Sequence, residues 1–196
     1  MSDSMKTKDV LLLLTDRWAD WEAAYAIAEV NSVPQYQVKT IAADRRPKVS
    51  IGGLRAEIDL TLGEYRDFEK LAMLILPGGF AWQERPHEEI AAFVRRVAGV
   101  GIPVAAICGA TIFLGRHGFL DGVAHTGDDL ELFEAHKGYR GRNFYESAQV
   151  ATEGGFITAN ETAAVDFAYE IFKTLAIDTM EELDAWREKF GKGMTR

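Results

Sequence analysis

Ile102-Pro103-Val104-Ala105-Ala106-Ile107-Cys108-Gly109-Ala110-Thr111-Ile112-Phe113 is the stretch whose reading decides the fold. Val104 to Ile107 is short and wholly apolar, as a strand buried on both faces of a parallel sheet must be. It ends on Cys108, the protein's only cysteine. Two small residues follow, and Thr111 to Leu114 reads as the first turns of a helix. A strand that turns sharply into a helix lifts the residue at the turn clear of the sheet edge. Small neighbours make that turn sterically possible. The helix N-terminus also sets partial positive charge beside the sulfur, which favours thiolate. Most free cysteines are buried and inert. The elbow context raises Cys108 from that class to a candidate nucleophile.

Working outward, Val10 to Leu14 and Leu71 to Leu76 are two further buried strands, and Tyr36 to Ala43 is a half-buried one. Val49 to Ile58, broken by Gly52-Gly53, reads as a small hairpin, and Ala148 to Thr152 with Phe156 to Ala159 as another. Helical spacing covers Glu88 to Ala98 and a segment starting at Asn160 with Phe167, Ile171 and Phe172 on one face. Asp20 is placed to cap a helix from Trp21 to about Val30. That puts Glu22 in its first turn. Val123 to Thr126 is read as a short strand, Asp128 to Ala135 as a short helix led by two acids, and Tyr139 to Tyr145 as a loop. Thr179 and Glu182 form a capping box for an amphipathic C-terminal helix over about 179–190, free to pack on the body or on a partner. Strands alternating with helices predict a three-layer α/β/α sandwich around a mostly parallel sheet.

The totals narrow the function. The chain of 196 residues is expected to form one domain. Its net charge of −8, without a basic run, argues against nucleic acid and anionic membranes as partners. No apolar run approaches the roughly 20 residues of a membrane span. The polar start, Met1 to Asp9, lacks a signal-peptide core. A single cysteine points to a reducing compartment, so the cytoplasm is the expected location. Four scattered histidines and one cysteine show no zinc-ligand spacing, and no metal or cofactor is expected.

Sites in such folds lie beyond the carboxyl ends of the strands. Pro77-Gly78-Gly79 and Cys108 both sit there, and the Gly79 and Gly109 N–H groups are candidates to hold an oxyanion. Glu22, past the first strand, and His125, in Val-Ala-His-Thr-Gly-Asp, are candidates to move protons. Each also has an ordinary explanation, as a turn glycine, a helix start or a half-buried histidine. Their convergence on one rim favours a site.

Ala19-Asp20-Trp21-Glu22, Leu76-Pro77-Gly78-Gly79, Ala106-Ile107-Cys108-Gly109-Ala110 and Ala124-His125-Thr126 occur in an order that resembles the ThiJ/PfpI superfamily, from Val10 to about Leu175. These proteins are class I glutamine amidotransferase-like and flavodoxin-like in fold. They include a parkinsonism-linked redox protein and bacterial proteins described as intracellular proteases or amidases. The resemblance implies Cys108 as nucleophile, Glu22 as the acid hydrogen-bonded to its sulfur, His125 as the neighbouring histidine, and Gly79 and Gly109 as backbone donors. Asp20 matches an acidic position to which no role is assigned. Three departures stand out. Gly109 occupies the place of the histidine in the protease-like branch, Asn160-Glu161-Thr162 lacks the His-x-Glu order of amidotransferase triads, and Ala110 stands where many elbows have glycine.

The expected activity is that of a cysteine hydrolase, amidase, lyase or deglycase acting on a small carbonyl or amide substrate. The alternative is a redox or stress-response protein whose cysteine is oxidised without a physiological substrate. A homodimer or larger assembly is also expected, from the resemblance, the C-terminal helix and exposed aromatics such as Trp18 and Trp21. For Glu22 the helix terminus pulls the pKa down while burial and a negative sulfur push it up, and the sequence leaves that balance open.

Overall fold

The structure, a computed structural model, describes residues 7–194; the polar start Met1–Lys6 lies outside the described residues. A seven-stranded sheet carries the fold, in the order β5-β2-β1-β6-β7-β9-β8. Its strands are β1 (Lys8–Leu13), β2 (Tyr36–Ala42), β5 (Leu60–Thr61), β6 (Leu71–Leu76), β7 (Val104–Ile107), β8 (Val150–Glu153) and β9 (Phe156–Ala159). All pairings in it are parallel except β8 with β9. Two short strands, β3 (Lys48–Val49) and β4 (Arg55–Ala56), form the separate antiparallel hairpin expected around Gly52-Gly53.

Strand alternation sends successive side chains to opposite faces, and the apolar runs therefore feed two cores at once. Leu11, Leu13, Leu74, Leu76 and Ala106 face one way, against α3 (Glu88–Gly99) and α4 (Gly109–Arg116). Val10, Leu12, Ile75, Ala105 and Ile107 face the other, against α1 (Ala24–Ser32) and α6 (Ala164–Leu175). Two short helices, α2 (Ala81–Glu84) and α5 (Leu130–Glu134), flank the elbow, and α7 (Met180–Lys192) closes the chain. This is the flavodoxin-like α/β/α sandwich. Among the described residues no helix is long and apolar enough to cross a membrane.

Several local expectations are corrected. Asp20 does not cap a helix: α1 begins at Ala24, its N-cap Ala23 makes no side-chain bond, and Asp20 instead accepts from Ser50 Oγ at 3.0 Å. Asp20 thus ties the β3–β4 hairpin to the segment after β1. Glu22 accordingly lies in the turn ahead of α1, outside the helix. Val123 to Thr126 forms no strand, only an isolated bridge between His125 and Tyr145. The short helix begins at Leu130, with Asp129 as its cap, so Asp128 stays outside it. The helix assigned to start at Asn160 begins at Ala164. Trp18 is buried, whereas Trp21 is 50% exposed.

Helix α7 packs on the body. Trp186 meets Phe172 edge-on at 4.8 Å between ring centroids and donates from Nε1 to Glu29 Oε1 at 3.1 Å. Thr179 Oγ1 accepts from Glu182 N–H at 3.3 Å, the cap half of the expected box. Phe172→Ala empties a buried site shared by the second core and α7, and is expected to cost about 3–5 kcal/mol. Thr179→Ala removes only the cap and is expected to cost about 1 kcal/mol. Urea denaturation of both variants checks the order, and a larger loss for Thr179→Ala would contradict this account of how α7 is held.

Candidate active site

Cys108 sits at φ 54°, ψ −130°, a backbone conformation rarely adopted by residues with a Cβ. Its neighbours hold it there. Cys108 N–H donates to Ala159 O at 3.0 Å, and its carbonyl accepts from Thr111 N–H at 2.9 Å and Thr111 Oγ1 at 2.7 Å. The chain thus leaves β7, turns once under strain and enters α4, as the elbow requires.

Glu22 is 1% exposed. Its Oε2 accepts from Gly78 N–H at 2.6 Å, and Oε1 has no partner of good geometry. The Cys108 thiol also acts on this carboxyl as a hydrogen-bonding neighbour. Gly78 is there because nothing larger fits. A Cβ on it would stand 2.7 Å from Cys108 Cβ, 2.7 Å from Glu22 Oε2 and 2.9 Å from Ile107 O. Gly79, at φ +127°, forms an antiparallel bridge with Trp18. The flanking bonds run from Ala19 N–H to Gly78 O and from Phe80 N–H to Arg17 O. In that pattern the central pair exchanges no bonds, so the Gly79 N–H turns away from Trp18, on a residue that lines the cavity. The Gly109 N–H acts on the Cys108 sulfur as a donor.

The cavity above the cysteine has a volume of about 360 Å³. It opens beyond the carboxyl ends of β1, β6, β7 and β9, as expected for a parallel sheet. Glu22, Asp128 and Glu161 supply its acidic lining, and Trp21, Ile51, Phe80 and Leu132 its apolar walls. Donor atoms of Cys108, Asp128 and Glu161 lie within 4.8 Å of one another, close enough to share a cation. The Glu161 N–H donates to Asp128 Oδ1 at 2.7 Å, which joins the two loops that carry the acids.

The structure brings Cys108, Glu22, Gly79 and Gly109 together. It does not bring His125 to them. His125 is fully buried, with Nδ1 at 2.7 Å from Val123 O and Nε2 at 2.8 Å from Tyr139 Oη. A carbonyl can only accept, so Nδ1 carries the proton and Nε2 receives the Tyr139 hydroxyl. Burial lowers the His125 pKa, and Phe133, Tyr139 and Tyr145 surround its ring. Both nitrogens are spent on structure. The side chain that reaches the sulfur from this loop is Asp128.

Asp128, Glu161 and Gly78 were not among the predicted site residues. Glu161 lies just past the carboxyl end of β9, a position that the strand-end rule flags once the strand is placed. For Asp128 the sequence carries no such signal, since the more reactive His125 stands three positions earlier.

The electrostatics follow from this lining. Burial, opposed by the Gly78 N–H and the Cys108 thiol, pushes the Glu22 pKa up to about 7, with Asp128 and Glu161 adding to the rise. With Glu22 outside the helix, burial wins the balance that the sequence left open. Burial, then the charges of Glu22 and Asp128, push the Cys108 thiol up, against the pull of the Gly109 N–H. This corrects the expectation of a free thiolate: the helix terminus is outweighed by desolvation and neighbouring acids. Glu22 and Cys108 therefore titrate as a unit, and a second negative charge on the pair is strongly disfavoured.

A cysteine on a strained strand-to-helix turn, with a buried glutamate against it at the carboxyl edge of a parallel sheet, defines an α/β protein with an elbow-cysteine centre. The family model described as DJ-1/PfpI matches residues 8–174, and the chain belongs to that family. It is 32% identical over 190 residues to a Bacillus subtilis protein named uncharacterized protease YoaZ, covering 93% of this chain and 90% of that one. The structure of a thiJ/pfpI family protein from Bacillus anthracis superposes with a TM-score of 0.89 at 32% identity, over 98% of this chain and 94% of that one. A DJ-1 superfamily protein from Agrobacterium tumefaciens gives a TM-score of 0.87 at 30% identity, over 96% of this chain and all of that one.

The Glu22 shift carries a stability signature. Its folded pKa of about 7 lies above the ordinary value of 4.5, so the native state holds a proton that the unfolded chain releases between those values. Stability is therefore full below pH 4.5 as far as this group is concerned, and falls as pH rises to about 7. The expected loss is about 3 kcal/mol. In Glu22→Gln this component should vanish, since the amide oxygen still accepts from Gly78 and nothing titrates. Urea denaturation of both proteins across this range checks it, and parallel stability curves would refute the assignment.

Proposed function

We propose that the protein is a cysteine-dependent enzyme of the hydrolase, amidase or lyase type, acting on a small carbonyl or amide compound at Cys108. The observation that carries the reading is the Glu22 carboxyl, buried against the thiol with one free oxygen and a pKa pushed up to about 7. A group with that pKa can both take and return a proton at neutral pH. In the attack, the Cys108 sulfur bonds to the substrate carbonyl carbon while the thiol proton passes to the Glu22 carboxylate. The carbonyl π electrons move onto oxygen, where the Gly79 and Gly109 N–H groups would stabilise them.

From that adduct two outcomes are open. With an amide, Glu22 returns its proton to the leaving nitrogen, the C–N bond breaks, and water hydrolyses the thioester. With a ketoaldehyde, Glu22 returns its proton to the oxyanion to give a hemithioacetal, then carries the C–H proton through an enediol to the neighbouring carbon. Water hydrolyses the resulting 2-hydroxyacyl thioester to the 2-hydroxy acid and the free thiol. The neutral, fully engaged His125 supports neither a Cys–His pair nor peptidase chemistry of that type. The protease name carried by the Bacillus subtilis relative supports hydrolysis as a class only.

A panel of small amides and ketoaldehydes tests the reading. Cys108→Ala is expected to abolish turnover, and Glu22→Gln to lower kcat by about 10²–10⁴-fold with a smaller change in KM. Turnover that survives Cys108→Ala would overturn it. A second reading rests on the free Oε1 of Glu22, which can hold an oxygen added to the sulfur. In it Cys108 is oxidised by peroxide to sulfinate with no substrate involved. Mass spectrometry of peroxide-treated wild type and Glu22→Gln separates the two, because identical oxidation products remove Glu22 from the oxidation chemistry.

A further inference from the structure

The Cys108 cavity is unusual in the sign of its charge. Glu22, Asp128 and Glu161 all line it, and none of its lining residues is a lysine, arginine or histidine. The Arg17 guanidinium, 5.5 Å from the Phe80 ring centroid, is paired with Glu84 and not with the cavity acids. The Glu22 carboxyl adds an independent sign that something is to be bound. It is almost wholly buried, it lines the cavity, and its Oε1 has no partner of good geometry, only the Cys108 thiol beside the carboxyl. A buried, unpaired carboxyl oxygen is costly unless a donor meets it in the working complex. The walls are of a different character. Trp21 and Phe80 are about half exposed, and Ile51 and Leu132 are exposed beside them. An aromatic face attracts a cation as well as an apolar group, and Phe80 already faces Arg17 in this way.

We propose that this cavity selects small carbonyl or amide compounds that carry a positively charged amine on an apolar frame, with Asp128 and Glu161 as the residues that set the preference. The proposal rests on reading the cavity as the substrate site, and it adds the charge class that the family does not specify. Electrostatic focusing in a walled cleft enriches ions of opposite sign, and a carboxylate-bearing substrate would meet repulsion from two sides. Because the sulfur and the two carboxylates lie within 4.8 Å of one another, the ammonium would sit between Asp128 and Glu161 on a carbon next to the carbonyl at the sulfur, and the apolar frame would run outward along Trp21 and Phe80. Asp128 and Glu161 touch substrate in this arrangement but take no part in bond making.

Labelling of Cys108 tests this without any turnover. Three methanethiosulfonate reagents of similar size, with ammonium, neutral and sulfonate ends, each form a mixed disulfide with the cysteine and release methanesulfinate. Rates are divided by those for a small free thiol, which removes intrinsic reactivity. Substitution of Asp128 also alters the thiol itself, and that changes all three rates together, so the ammonium-to-sulfonate ratio is the readout. The expected normalised ratio for wild type is at least about tenfold, shrinking as salt is raised. It should fall severalfold in Asp128→Asn, where the amide oxygen can still accept from the Glu161 N–H, and also in Glu161→Gln. A wild-type ratio near one, or a ratio unchanged in both variants, would overturn the proposal. A high ratio with no turnover of any carbonyl or amide compound would count against the enzyme reading and leave the charge preference standing. Turnover of anionic compounds as fast as their cationic analogues would do the reverse.

Discussion

The hydrogen bond from the Gly78 N–H to Glu22 Oε2, 2.6 Å long and shut away from water, is the contact on which the rest of the site depends. It joins the turn after β1 to the end of β6, and Cys108 lies against both. A side chain at 78 would collide with the cysteine and the glutamate together. The strained backbone at Cys108 persists because every neighbour that could relax it is already committed: Ala159 O, Thr111 and Gly78 hold it from three sides. The two cores beneath make the platform stiff, since each strand that ends at the site is packed on both faces.

That stiffness has an electrostatic consequence. A carboxyl only 1% exposed gains little from water to stabilise its charge, so burial governs Glu22 and pushes its pKa up to about 7. The same burial, together with the acids, opposes charge on the sulfur. The two groups are left to share a proton, a different arrangement from an isolated thiolate made by a helix terminus. Placing His125 elsewhere reinforces this. Its two nitrogens brace the loop through Val123 and Tyr139, and that loop then delivers Asp128 to the cavity. The histidine builds the site without entering it.

The sequence by itself determined the layers, the long central strands and the elbow. Runs such as Leu11 to Leu14 and Val104 to Ile107 can be satisfied only in a sheet buried on both faces, and Pro77-Gly78-Gly79 and Cys108 must then fall at strand ends. Gly79, Gly109 and Glu22 were legible for the same reason: they follow strands closely, so their position along the chain nearly fixes their position in space. The packing of α7 and the anchoring of the hairpin by Asp20 were open, because an amphipathic face and a free carboxylate each have several satisfactory partners. What only the tertiary structure decided was the chemistry between loops. Whether His125 or Asp128 turns toward the sulfur depends on a loop with no regular repeat, settled by an aromatic pocket of Phe133, Tyr139 and Tyr145 drawn from later in the chain. Glu161 reaches the same cavity only because β9 lies beside β7 in the sheet. Pairing of that kind is a matter of long-range burial, which no local pattern of residues encodes.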